Sequence, residues 1–149
     1  MLHPDRETIA SNANDNERGC VLRVDAGDGS ALIAADIGRS TEEKLVARFA
    51  GLLHADALVV PHHGSRFSSS QAFVAEVRPR LAVASAGYRN RFGHPRPEVE
   101  RRYREEGALF LRTDRDGAVS VRWSSAGVME VQRWRQAQPR YWNAPAAAR

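Results

Sequence analysis

Residues 56–70 read DALVVPHHGSRFSSS. An aspartate leads a short apolar, β-branched run that stops at Pro61, and two adjacent histidines follow. A run of four to eight such residues ended by proline predicts a buried strand over 56–61. Gly64 and a row of hydroxyls then lead into QAFVAEV, so 68–77 predicts a helix capped by a serine. A strand that delivers two imidazoles to its carboxyl end, before a helix, suggests an α/β sheet with chemistry on its rim.

The same alternation extends outward. CVLRVDAG (20–27) alternates apolar and polar residues, as a half-buried strand does. Asp28-Gly29 signals a hairpin turn, and SALIAADIG (30–38) is the partner strand, apolar enough to be buried on both faces. Ser40 is placed to cap a helix from Thr41, with Glu42 and Glu43 in the first turn where the helix dipole favours acids. Downstream, 80–87 reads as a strand, 88–97 as a loop and 97–107 as a helix opened by proline and closed by glycine. Strands at 108–113, 118–123 and 128–134 complete the order, with Asp116-Gly117 as a turn. The expected class is α/β with a mixed sheet and flanking helices. The expected organisation is a loop or arm over 1–19, one domain over 20–136 and a frayed tail over 137–149.

At 149 residues and 42% hydrophobic, the chain is long and apolar enough for a globular core, which excludes a disordered chain. No apolar run approaches the ~20 residues of a membrane span. The first residues lack the charged-then-apolar order of a signal peptide, so the expectation is a soluble, unexported chain. Cys20 is the single cysteine, which excludes an internal disulfide and a cysteine-rich zinc knuckle. At the start of a strand it is expected to be a small buried residue. Lys44 is the only lysine among 22 basic residues, and the net charge is +4. Arginine forks suit phosphates and carboxylates, although a GC-rich genome gives the same bias without functional meaning.

Three strand ends carry the candidate chemistry. The strand at 30–38 reaches Asp36, that at 56–61 reaches His62 and His63, and that at 80–87 runs out towards Asn90 and His94. Imidazole nitrogen and carboxylate oxygen are the usual donors to zinc and manganese in hydrolytic centres. Ser65 can donate to a phosphate, and Ser68, Ser69 and Ser70 open a helix whose free amides attract anions. Each residue has a structural alternative. Asp36 can cap the next helix, the histidines can bond to backbone, His94 can orient its proline-bound loop, and the serines can be a plain N-cap. Near the C-terminus, Arg133, Trp134, Arg135, Arg140, Tyr141 and Trp142 form a basic and aromatic cluster, able to stack bases or to fold back on the sheet edge.

LHP (2–4), NANDN (12–16), AADIG (34–38), VVPHHGSRFSSS (59–70) and AGYRNRFGHP (86–95) follow one another in this order. Together they resemble the C-terminal part of the metallo-β-lactamase-like domain of ComEC-type DNA-uptake channel proteins of competent bacteria. That resemblance covers about residues 2–124 and implies an αββα sandwich, of which this chain would hold mainly the second half. It implies two divalent metals, zinc or manganese, in an intact domain. His3 would be a ligand, Asp36 would bridge both metals, and His62, or in second place His63, would be the last ligand. Asn90 and His94 would lie beside the path of a single-stranded DNA substrate, in a protein anchored in the inner membrane.

Two departures from the family pattern shape the expectation. No H-x-H-x-D-H motif occurs in these residues, and Ala35 stands where relatives often carry glycine before the aspartate. A carboxylate and one or two histidines do not fill a metal's coordination shell. The expectation is therefore a fragment of a metal-dependent nuclease, weak in metal binding and catalytically incomplete without a missing N-terminal half-domain or self-association. The alternatives are a non-catalytic nucleic-acid-binding module, or another hydrolase of the same fold such as a lactonase or small phosphodiesterase.

Overall fold

A computed structural model gives the fold over residues 1–140. Five strands form the main sheet: β1 (Leu22–Ala26), β2 (Gly29–Ile33), β3 (Ala57–Val59), β4 (Leu81–Ala84) and β5 (Leu109–Arg112), in that spatial order. β1 and β2 are an antiparallel hairpin, and β2 to β5 run parallel. Each parallel step needs a crossover, supplied by α2 (Arg39–Phe49), α3 (Gln71–Val77) and α4 (Pro97–Glu105). Crossovers of one hand that always advance in one direction leave their helices on one face of the sheet. The core shows this arrangement. Leu32, Leu58, Ala82 and Phe110 of the sheet pack with Leu45, Phe73, Val77, Val99 and Tyr103 of the helices.

The opposite face is covered by a second hairpin, β6 (Val119–Trp123) and β7 (Met129–Arg133), which forms its own sheet. Its Val119, Val121, Trp123, Met129 and Val131 pack on Ala57, Leu81 and Leu111. Short helical turns flank it: α5 (Thr113–Asp116) before and α6 (Trp134–Ala137) after. The molecule is thus α/β, with a mixed sheet and flanking helices. The N-terminal segment, expected as a loop or arm, contains α1 (Arg6–Ala10) and a 3₁₀ turn at Asn16–Arg18, and His3 bridges Val21 beside β1.

Several local expectations are corrected. The first hairpin turns at Gly27 and Asp28, because Ala26 pairs with Gly29. Helix α2 is capped by Gly38, without a side-chain bond, and not by Ser40. Cys20 is exposed. The strand at 30–38 ends early, at Ile33, and neither it nor β3 is buried on both faces: Ile33 and Val59 are 41% and 39% exposed. The second hairpin stops short of that end of the sheet. Tyr141 and Trp142, and with them most of the expected tail, lie outside the described residues.

Candidate metal and nucleic-acid site

The site is built where β2 and β3 end side by side. After Ile33 the chain turns through Ala35, whose φ of +48° is the left-handed conformation that glycine adopts most easily. The turn presents Asp36, half-buried, at the rim. The Ala35 carbonyl accepts from the His62 amide at 2.9 Å, so the two strand ends are tied together.

His62, His63 and Gly64 follow one another with φ of +49°, +56° and +80°. A left-handed conformation costs an ordinary residue roughly 1–2 kcal/mol, so the surroundings must hold the pair. The Ser65 amide donates to the His62 carbonyl, the Ser68 hydroxyl to the Pro61 carbonyl and the Arg96 amide to the Gly64 carbonyl. Gly64 is required twice over, since a Cβ there would also lie 2.5 Å from that of Pro95. Strain of this kind collects at functional sites.

The turn aims the His63 ring. Its Nδ1 is 2.9 Å from the Ser85 carbonyl beyond β4. A carbonyl only accepts, so Nδ1 carries a proton, and in the neutral ring Nε2 keeps a lone pair. That lone pair lies 3.4 Å from Asp36 Oδ1, and both side chains are about half exposed (49% and 45%). Two electron-pair donors thus face one another, an arrangement stabilised by a second proton on the imidazole or by a cation between them.

The other imidazoles form the adjoining wall. His62 Nε2 meets the Asn16 side-chain amide at 3.5 Å, and its ring stands edge-on to His94, with centroids 6.3 Å apart. His94 stacks on Phe92 at 5.9 Å and 16°, and its Nδ1 is buried without a partner. Burial, then the nearby Arg96, His62 and His63, hold the His94 pKa below the ordinary imidazole value. Asn90 closes the loop: its amide hydrogens go to the His94 and Gly87 carbonyls, and its Oδ1 accepts from the His94 amide.

The structure therefore brings Asp36, His62, His63 and His94 to one rim. His3 stands back from it, buried, with Nε2 2.6 Å from the Glu17 carbonyl, next to the Asn16 that meets His62. The serines are placed differently from the sequence expectation. Ser68 and Ser69 are fully buried, and Ser65 nearly so, with its hydroxyl accepting from the Phe67 amide. The amides of Ser69 and Ser70 both donate to the carboxylate of Glu42, and the Ser70 hydroxyl caps α3. The acceptor at this helix N-terminus is the chain's own Glu42 carboxyl. Sequence reasoning also passed over Ser85, whose contribution is a main-chain carbonyl, and Phe92, which the YRNRFGHP segment contained in plain view.

Among the described residues no three His, Cys, Asp or Glu side chains converge to hold a metal. Asp36 and His63 nonetheless suit two positions of a coordination shell. Donors at ~2.1 Å from a tetrahedral ion stand about 3.4 Å apart, the separation seen here. The bond from His63 Nδ1 to a carbonyl is the support that metal-binding histidines usually have.

No known family profile matches the chain. It is 42% identical over 130 residues to "Competence protein ComA" of Neisseria gonorrhoeae, covering 87% of the chain and 19% of that protein. It is 34% identical over 133 residues to the uncharacterised YcaI of Escherichia coli K12, covering 89% and 18%. It is 31% identical over 113 residues to "ComE operon protein 3" of Bacillus subtilis 168, covering 76% and 14%. These similarities support a competence-related family of the ComEC type. The chain spans less than a fifth of each of these three relatives. Among the described residues, no helix is long and apolar enough to cross a membrane.

Proposed function

We propose that this chain is the C-terminal part of a metallo-β-lactamase-like domain and contributes half of a divalent-metal phosphodiesterase centre to a competence DNA-uptake protein. The observation that carries the reading is the Asp36–His63 pair, with Nδ1 of His63 anchored on Ser85 and its Nε2 turned to the carboxylate. A one-sided helix layer, a mixed sheet and a partly open opposite face agree with half of an αββα sandwich. Asp36 and His63 would hold zinc or manganese, and His63 takes the role that the family pattern would give first to His62. Such an ion supplies Lewis-acid polarisation of a phosphoryl oxygen.

The chain's own residues do the rest. Asp36 and Nε2 of His63 bind, the Ser85 carbonyl fixes the tautomer, and His94, its pKa held below the ordinary imidazole value, borders the site. The remaining donors come from outside this chain, so hydrolysis by the chain alone is expected to be negligible. Titration with Mn²⁺, followed by electron paramagnetic resonance, tests the reading. Wild type should bind weakly, and Asp36→Asn and His63→Gln should each bind at least ~10-fold more weakly, the loss that even a supporting hydrogen bond carries. Equal Mn²⁺ binding by all three proteins would refute it. A second reading, a non-catalytic nucleic-acid-binding module, rests on Arg66, Arg89 and Arg91, each stacked over the ring of an exposed neighbour. It predicts salt-dependent DNA binding that survives both substitutions.

A further inference from the structure

Beside the Asp36–His63 pair lies a cavity of about 240 Å³ between His63, residues 85–87, Asn90, Phe92 and His94. Its lining is mostly apolar, and one wall is the near-parallel stack of Phe92 and His94. We propose that this cavity takes one unpaired nucleobase of a single strand, stacked on that wall. The inference rests on the reading of the chain as a DNA-handling protein and names the part of the substrate that this side of the site would grip.

Phe92 and Tyr88 are large rings left 58% and 71% exposed on one loop. The guanidiniums of Arg91 and Arg89 lie over those rings, at 4.9 and 5.2 Å from their centroids. A base that stacks on Phe92 takes the place that the Arg91 guanidinium holds over the ring and leaves that cation for the phosphate; every base has a face to stack, so such a surface tolerates sequence. A duplex hides its base faces and offers nothing to such a wall. The loop is held before any ligand arrives, because all the hydrogen-bonding groups of the Asn90 amide are spent inside it. Little ordering is then left for binding to supply. Because His63 both lines the cavity and faces Asp36, a base seated there sets its neighbouring phosphate beside the pair.

Fluorescence anisotropy at low salt, in EDTA, with labelled oligo(dT) and an abasic strand of the same length tests this. Wild type should prefer the oligo(dT) by roughly 5- to 150-fold, the range of one stacked base. Phe92→Ala should lose that preference yet bind the abasic strand as wild type does, and Phe92→Trp should keep it. Equal affinity of wild type for the two strands, or no saturable binding of either, would overturn the proposal. So would a Phe92→Ala variant that keeps the preference. Because EDTA removes divalent ions, this outcome is separate from the Mn²⁺ titration. A base preference without Mn²⁺ binding would sink the metal reading alone, and Mn²⁺ binding without a base preference would sink the pocket alone.

Discussion

Glu42 is a carboxylate fully removed from water, on the second helix and facing the start of the third. Burial raises its pKa, and the amides of Ser70 and Ser69 pull it back only in part, so it stays above the ordinary glutamate value. The folded state therefore holds this proton more tightly than the unfolded chain does. The stabilisation from that difference is complete below the unfolded pKa near 4.5 and is lost as the pH rises through the raised folded value. Glu42→Gln cannot titrate, and its amide can accept only through one oxygen. It should cost about 1–3 kcal/mol for the amide left unpaired. Denaturation measured across pH should show the wild-type advantage largest in acid and smaller above the folded pKa; a pH-independent difference would place that proton elsewhere. The place of Asp36 and of the His62–His63 pair at strand ends was legible in the sequence, because strand ends collect chemistry; that His63, and not His62, turns to the carboxylate was not. Glu42 was not, because a first-turn acid looks the same whether it faces water or caps another helix. Misreading it gave the serines at 68–70 to a phosphate that the chain's own carboxylate displaces.

At the scale of elements, most of the order was legible because period two and period 3.6 separate cleanly along this chain. What the alternation of 118–123 did not reveal was its partner. A strand following β5 could have extended the sheet edge. Instead Thr113 is locked to residue 86 by bonds in both directions, to its carbonyl and from its amide, and Asp116 takes the Arg112 amide. The chain is bent there, and the second hairpin crosses the face. Its seating depends on Gly29, where a Cβ would come within 2.2 Å of the Trp123 indole. Gly29→Ala should push the indole out and cost about 1–3 kcal/mol, the usual range for overpacking. The denaturant midpoint should fall with the slope unchanged, accompanied by a loss of near-ultraviolet ellipticity from the displaced tryptophan. An unchanged midpoint and spectrum would mean that the hairpin does not rest on this contact.

Over the whole molecule, the two sheet faces are unequally covered. The helices bury one face, whereas the hairpin buries only Ala57, Leu81 and Leu111 with their neighbours on the other. Leu22 pairs with Ile33, Val24 with Ala31, and Ile33 with Val59, so the uncovered side chains share one face. Leu22, Val24, Ile33 and Val59 are each left 39–41% exposed there. A contiguous apolar strip of this kind marks a contact surface, and it reaches the sheet end that carries Asp36 and His62. The relatives are more than five times longer than the part matched here, so they have chain available to cover it. Isolated, this chain has only another copy of itself to offer, and the strip should drive self-association. Ile33→Lys places a charge in the strip without touching the helix-side core. Burial of one isoleucine is worth roughly 1.5–3 kcal/mol, so its loss should weaken association by about 10-fold or more. Light scattering across a concentration series should show dimers or larger species for wild type and monomer for the variant, with thermal stability of the monomer little changed. A wild-type chain that stays monomeric throughout would mean that water is tolerated on this face, and the half-sandwich reading would lose its main physical consequence.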